Sequence, residues 1–272
     1  MRSAPLPPTF TNHVGRKLFV LLQTAQGLGA FSLITLGVVF RQRGQAREIM
    51  QPRIRREITR AGSRLLPVYS FLALALGFLV VGQAVSQLST LGATSYVGSL
   101  MVTVVVRELG PLLAVMMMLA RVGAANVIEL GMARAGGEVE ALEALAIDPV
   151  HYLVVPRVIG MAAGVFALTI YLILGALGGG YLWAFLMLPH LQLTPGQYVG
   201  QIADALNWMD FVLMTVKTLT FGFFIAVITC YHGLAQPLRL EDVSRVAVQA
   251  VTQGIVVCTL LDLVFIVLYF VG

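Results

Sequence analysis

Four charged side chains stand inside runs that are otherwise long and apolar: Arg107, Glu108, Lys217 and Asp262. An unpaired charge at the centre of a bilayer costs about 2.5–3.5 kcal/mol on insertion scales. Such groups are therefore expected to pair or to line a polar path. Their formal charges cancel. Counted from the expected outer ends of their helices, near residues 96, 209 and 271, all lie roughly 12–17 Å deep at ~1.5 Å per residue, so they can share one polar layer. Arg107 and Glu108 are sequence neighbours pointing about 100° apart on a helix, so they do not face each other. Arg107–Asp262 and Glu108–Lys217 are the plausible pairs. Two roles stay open: a structural network that holds the helices together, or one that exchanges partners during a transport cycle.

A second charged feature lies between apolar runs. Residues 124–148 hold Glu129, Glu138, Glu140, Glu143 and Asp148 against Arg134, with Val139, Leu142 and Leu145 at three-residue spacing beside the acids. This reads as an acidic amphipathic helix, suited to docking a partner or simply to a solvated loop. Other chemistry is missing from the sequence. Its two lysines, Lys17 and Lys217, follow no Gly-x-x-x-x-Gly pattern, so there is no phosphate-binding loop. No His pair has metal spacing, and no Ser sits in a nucleophile elbow. Cys230 and Cys258 fall inside apolar runs and read as small buried hydrophobes. Hydrolysis by this chain itself is not expected.

The elements that position these residues follow from composition. Of 272 residues, 58% are apolar and only 11% are Asp, Glu, Lys or Arg. Soluble chains carry about 25% charged residues, and the mean hydropathy here is +0.87. A soluble enzyme, a disordered chain and a nucleic-acid-binding domain are excluded. The net charge of +5 comes largely from Arg41–Arg64, beside apolar runs, which marks the cytoplasmic face of a membrane protein.

Along the chain, a Pro-rich arm precedes an apolar run at 18–40. Basic residues flank that run on both sides, so it is expected to be an interfacial or re-entrant helix, with an ordinary span as the alternative. Pro52 is expected to start a basic amphipathic helix, with Ile54, Ile58, Ala61 and Leu65 opposite Arg53, Arg56, Arg60 and Arg64. Residues 1–64 thus form a cytoplasmic arm with two helices, and 65–272 form a five-span domain. The spans are expected at about 65–87, 96–121, 150–185 (tilted, or broken at Gly178-Gly179-Gly180), 209–231 and 246–271. Thr194-Pro195-Gly196-Gln197 is a capping box, predicting an outer-side helix over 195–206 with Tyr198, Val199, Ile202 and Leu206 on one face. Links 88–95 and 186–208 hold no Lys or Arg, which places the N-terminus inside and the C-terminus outside. Gly160-x-x-x-Gly164 and Gly175-x-x-x-Gly179 fit close helix contact.

Several of these segments resemble one family. Arg107-Glu-Leu-Gly-Pro111, Ala120-Arg-Val-Gly-Ala124, Glu129-Leu-Gly-Met132, Glu140-Ala-Leu-Glu-Ala-Leu-Ala-Ile-Asp-Pro149 and Tyr152-Leu-Val-Val-Pro-Arg157 resemble the MlaE family of ABC-transporter permeases. The likeness is densest over 97–160 and continues through Lys217-Thr-Leu-Thr-Phe-Gly222, Cys230 and Asp262. It implies an all-α integral membrane protein of the MlaE permease fold, placed as a homodimer in the bacterial inner membrane. It implies an ABC ATPase partner that binds ATP and Mg, a periplasmic MCE-domain lipid-binding protein, and phospholipid as cargo; this chain itself would carry no cofactor or metal. The helix at 129–145 would then couple to the ATPase through Glu129, Arg134, Glu138, Glu140, Leu142 and Glu143. Lipid contact is expected on the outer half of the first span, at Val80, Gln83, Leu88 and Leu91; Gln83 matches a family position and the others follow from location. The competing readings are an ion-coupled carrier or channel that uses the intramembrane charges, and a scaffold without transport.

Overall fold

The computed structural model describes residues 26–38, 47–187, 194–234 and 241–271. We number its helices α1 (Gln26–Val38), α2 (Met50–Thr90), α3 (Val97–Ala135), α4 (Glu138–Ala144), α5 (Val150–Met187), α6 (Pro195–Ala205), α7 (Trp208–Leu234) and α8 (Val243–Val271). There is no strand among the described residues. Five helices, α2, α3, α5, α7 and α8, are long and apolar enough to cross a membrane. A backbone buried in lipid must satisfy its own hydrogen bonds, which is why these apolar runs are helical.

α2, α3 and α5 have 41, 39 and 38 residues. At ~1.5 Å per residue each is nearly twice the ~30 Å of a hydrocarbon core. Their surplus turns are the charged ones: residues 50–64 of α2, 124–135 of α3 and the start of α5. These gather at one end of the bundle, here the basic end. The far end holds the turn around Gly92 and the helix α6.

Three expectations about boundaries change. The basic amphipathic helix is present as Arg47–Ala61, but Pro52 lies inside it rather than at its start, and a tight turn at Ser63–Leu65 joins it directly to the first span. The expected boundary at residue 64 therefore falls within α2. The third span is unbroken at Gly178-Gly179-Gly180, because helix runs from Val155 to Met187 without interruption. The acidic segment 129–145 is two elements. Its first part belongs to α3, which runs past residue 121 to Ala135, and Gly136 and Gly137 then separate it from α4. Gly137 has φ of 76°, a left-handed conformation that favours glycine.

α5 is the packing spine, in contact with α2, α3 and α7. A Cβ on Gly160 would lie 2.6 Å from Glu57 Cβ, and one on Gly164 would lie 2.8 Å from Ala61 Cβ. The small-residue stripe of α5 thus receives the basic half of α2, and Gly175 and Gly179 continue it against Ala73 and Leu74. α8 is peripheral, packed on α3 and α7. Cys230 and Cys258 are buried free thiols, as expected.

Phe31 of α1 packs edge-on to Tyr231, with ring centroids 5.8 Å apart, near the basic end of α7. Of the run expected as an interfacial or re-entrant helix, residues 18–25, 39 and 40 lie outside the described ones. At the far end the capping box is present: Gln197 N–H donates to Thr194 Oγ1, and Thr194 N–H donates to Gln197 Oε1. Tyr198 and Ile202 of α6 are buried, but Val199 faces outward, so the apolar face is narrower than expected.

Candidate functional site: an ion network between three spans

The segment Arg107-Glu108-Leu109-Gly110-Pro111 sits at a change of helical pitch. Residues Val102–Leu109 form a π-helical turn, and α-helix resumes at Gly110. Pro111 has no N–H, so it cannot donate to the carbonyl of Arg107 four residues back. Lys217 of α7 supplies a donor instead: its Nζ lies 2.9 Å from Arg107 O. Gly110 lets α5 close in, since a Cβ there would be 2.7 Å from Ile173 Cγ1.

Lys217 Nζ also reaches Glu108 Oε2 at 2.8 Å and Asp262 Oδ1 at 2.7 Å. Two of the three ammonium donors make hydrogen bonds, to the Arg107 carbonyl and to Glu108, and the charge meets Asp262 as an ion pair. One lysine thus ties α3, α7 and α8 together at one depth, as the shared polar layer predicted. The Glu108–Lys217 pair is present.

The expected Arg107–Asp262 pair is not. Asp262 turns to Lys217, and Arg107 is held by Asp210, which the sequence reading left out. Arg107 Nε is 2.8 Å from Asp210 Oδ1 and Nη2 is 3.1 Å from Oδ2, a two-pronged contact. Asp210 Oδ2 also accepts from Asn207 N–H at 2.9 Å, closing the first turn of α7. The other face of the Arg107 guanidinium lies over the Tyr269 ring of α8, 4.1 Å from its centroid. With Asp210 counted, the network holds two cations and three carboxylates. The sequence did carry a signal for Asp210: it is an acid in the first turn of a span. Such a residue satisfies the helix N-terminus, which makes a second role invisible in one dimension.

A second cluster ties the basic end together. Glu129 of α3 accepts from both terminal nitrogens of Arg60 in α2, each at 2.6 Å, and pairs with Arg157 of α5 at 3.4 Å. Arg53 donates to the Tyr152 hydroxyl and stacks over its ring. Glu129, expected as a coupling residue, thus bridges three helices. Glu138, Glu140 and Glu143 are different. They are exposed on α4 while Val139 beneath them is buried. Leu142 is half-buried, Leu145 is exposed, and Arg134 is half-buried at the end of α3.

The four expected lipid contacts divide. Val80 and Leu88 pack against the core, whereas Gln83 and Leu91 face outward. Among the described residues no group of His, Cys, Asp and Glu is placed to hold a metal ion.

This architecture defines a polytopic, all-helical membrane protein organised around a buried ion network. The family described as Permease MlaE matches residues 54–268, and the chain belongs to that family. It is 30% identical over 251 residues to a probable ABC transporter permease protein of Rickettsia felis, covering 89% of this chain and 91% of that one. It is 24% identical over 212 residues to the intermembrane phospholipid transport system permease protein MlaE of Haemophilus influenzae, covering 76% and 80% respectively. A chloroplastic protein of Arabidopsis thaliana, TRIGALACTOSYLDIACYLGLYCEROL 1, is 26% identical over 220 residues, covering 79% of this chain and 61% of that one.

Proposed function

We propose that the chain is the membrane subunit of an ATP-driven transporter that moves lipid, in the first place phospholipid, between the inner membrane and a periplasmic MCE-domain protein. Two copies pair in the membrane, and a separate ATPase subunit binds ATP and Mg. The basic end faces the cytoplasm and the Lys/Arg-free far end faces the periplasm, in keeping with the positive-inside rule.

The observation that carries this reading is α4. It is a short helix between two spans at the basic end, with Glu138, Glu140 and Glu143 exposed and Val139 anchored in the core. A rigid loop helix presenting carboxylates outward is suited to meeting a soluble partner. The fixed attachment at Val139 lets movement of that partner pass into α3 and α5. An ATPase as that partner is supported by the relatives named ABC transporter permease proteins, and the sequence has no phosphate-binding loop of its own. The Haemophilus relative's name supplies the cargo class.

The test is reversal of Glu138, Glu140 and Glu143 to Lys, followed by purification from native membranes. The variant should remain monodisperse yet lose the co-purifying ATPase and the ATP-driven lipid transfer. Retention of both in the folded triple variant would overturn the coupling role of α4.

A further inference from the structure

Between the basic half of α2 and the start of α5 lies a cavity of about 1110 Å³. Its wall holds six arginines, Arg53, Arg55, Arg56, Arg60, Arg64 and Arg157, against two acids, Glu57 and Glu129. The acids do not balance them. Glu129 is taken by Arg60 and Arg157, and Arg53 is turned onto Tyr152. Among the described residues no carboxylate stands within ion-pair distance of Arg55, Arg56 or Arg64, and Glu57 makes no ion pair. Arg56 sits one turn before Arg60 on the helix that ends at Ala61, and Arg64 follows in the tight turn Ser63–Leu65. Arg55, Arg56 and Arg64, gathered on one wall without a carboxylate partner, repel one another.

A bound anion removes that repulsion. Guanidinium groups match the oxygens of a phosphate in pairs, more closely than an ammonium would. The wall is also pre-organised. Arg60 and Arg157 are clamped by Glu129, and Gly160 holds the two helices in close contact behind the cavity.

The position favours a phosphate carried by a lipid. Immediately past Arg64, α2 becomes apolar, and Leu66, Phe71 and Leu74 are exposed on its surface. A head group in the cavity would have its acyl chains beside that apolar stretch. Basic pockets between helices at this level of a membrane recognise anionic head groups.

We propose that this cavity binds the phosphate head group of an anionic phospholipid in the leaflet at the basic end. The cavity shares no residue with the expected lipid contacts Val80, Gln83, Leu88 and Leu91. It depends on neither the ATPase nor the MCE partner, so it can fail while the proposed transport function stands, and the reverse.

The experiment uses the full chain in nanodiscs of phosphatidylcholine doped with phosphatidylglycerol, transferred to mild detergent and read by native mass spectrometry. Wild type should retain phosphatidylglycerol in preference to phosphatidylcholine. The variant Arg55→Gln/Arg56→Gln/Arg64→Gln removes only arginines outside ion pairs, and it should lower that preference by about tenfold or more. The matching Lys variant should keep part of it, and Arg245→Gln, an exposed change elsewhere at the basic end, should leave it intact. Equal retention of the two lipids by wild type, or an unchanged preference in the Gln variant, would overturn the site. Displacement of phosphatidylglycerol by inorganic phosphate or glycerol phosphate at comparable concentration would assign the cavity to a soluble anion and overturn the lipid assignment. Loss of the ATPase from the Gln variant with lipid retention unchanged would make the wall a protein contact instead.

Discussion

Asp210 holds the fork of Arg107 from α7, with Oδ1 2.8 Å from Nε and Oδ2 3.1 Å from Nη2. The same carboxylate closes the first turn of α7 through Asn207 N–H. One side chain thus fixes both the start of a span and the angle at which α3 meets it. The Asp210 side chain is 2% exposed and that of Arg107 20%, so solvent screens the pair only weakly.

Removing the acid should therefore leave a poorly solvated guanidinium. Asp210→Asn keeps the shape and part of the capping but loses the charge. Breaking a buried pair from one side costs about 3–5 kcal/mol, and the residual exposure of Arg107 puts the expected loss at about 2–3 kcal/mol. Equilibrium unfolding in mixed micelles would measure it. Asp210→Asn combined with Arg107→Met should recover a large part of the loss, and a double variant no more stable than Asp210→Asn alone would show that the pair is not coupled.

The glycines of α5 should separate by what stands opposite them. Gly160→Ala places a methyl 2.6 Å from Glu57 Cβ, with backbone of α2 at 3.0 Å. Neither neighbour can swing aside, and overpacking of this kind costs about 1–3 kcal/mol. Gly178 has nothing within 4 Å of an added Cβ. Gly178→Ala should gain about 0.5–1 kcal/mol from helix propensity alone. Thermal unfolding of the two variants beside wild type should shift in opposite directions.

The same glycines mark how far the fold was legible in the sequence. The number of spans follows from apolar run length, and the pairing of Lys217 with Glu108 follows from depth. Gly160 and Gly164 announced a close contact, but spacing alone does not say with which helix. Gly178-Gly179-Gly180 suggested a break because glycine lowers helix propensity. In lipid no water can take up freed backbone groups, so the helix continues. Glu129 was grouped with Glu140 by sequence distance. Arg60 and Arg157, far from it in the chain, claim it instead, and such a contact depends on how α2, α3 and α5 cross.

Orientation can be read from two turns. Gly92 and Gly136 are exposed at opposite ends of the bundle. Single cysteines at these positions should react with an impermeant maleimide differently in intact cells: Gly92→Cys directly and Gly136→Cys only after permeabilisation. The native Cys230 and Cys258 are buried and add little background. The reverse pattern would invert the proposed topology and place the arginine cavity in the opposite leaflet.

Lys217 should behave as a three-way tie rather than as half of a pair. Its Nζ serves Glu108 at 2.8 Å, Asp262 at 2.7 Å and the Arg107 carbonyl at 2.9 Å. Lys217→Met leaves two carboxylates and one carbonyl without their partner, so it should be more damaging than Glu108→Gln or Asp262→Asn. Glu108 keeps 33% side-chain exposure and Asp262 only 10%, so the cost of the stranded Asp262 should dominate. For that reason Glu108→Gln added to Lys217→Met should recover little, whereas Asp262→Asn added to Lys217→Met should recover more. The triple change, with all three groups neutral, should approach wild-type stability, because replacing every member of a buried ionic cluster is far less costly than removing one. Stability in detergent and ATP-driven lipid transfer should be measured on the same preparations. A stable triple variant that still transfers lipid assigns the network to holding α3, α7 and α8 in place. A stable triple variant without transfer assigns it to the transport cycle. Full recovery from Glu108→Gln/Lys217→Met alone would show that Lys217 has one partner and that Asp262 belongs elsewhere.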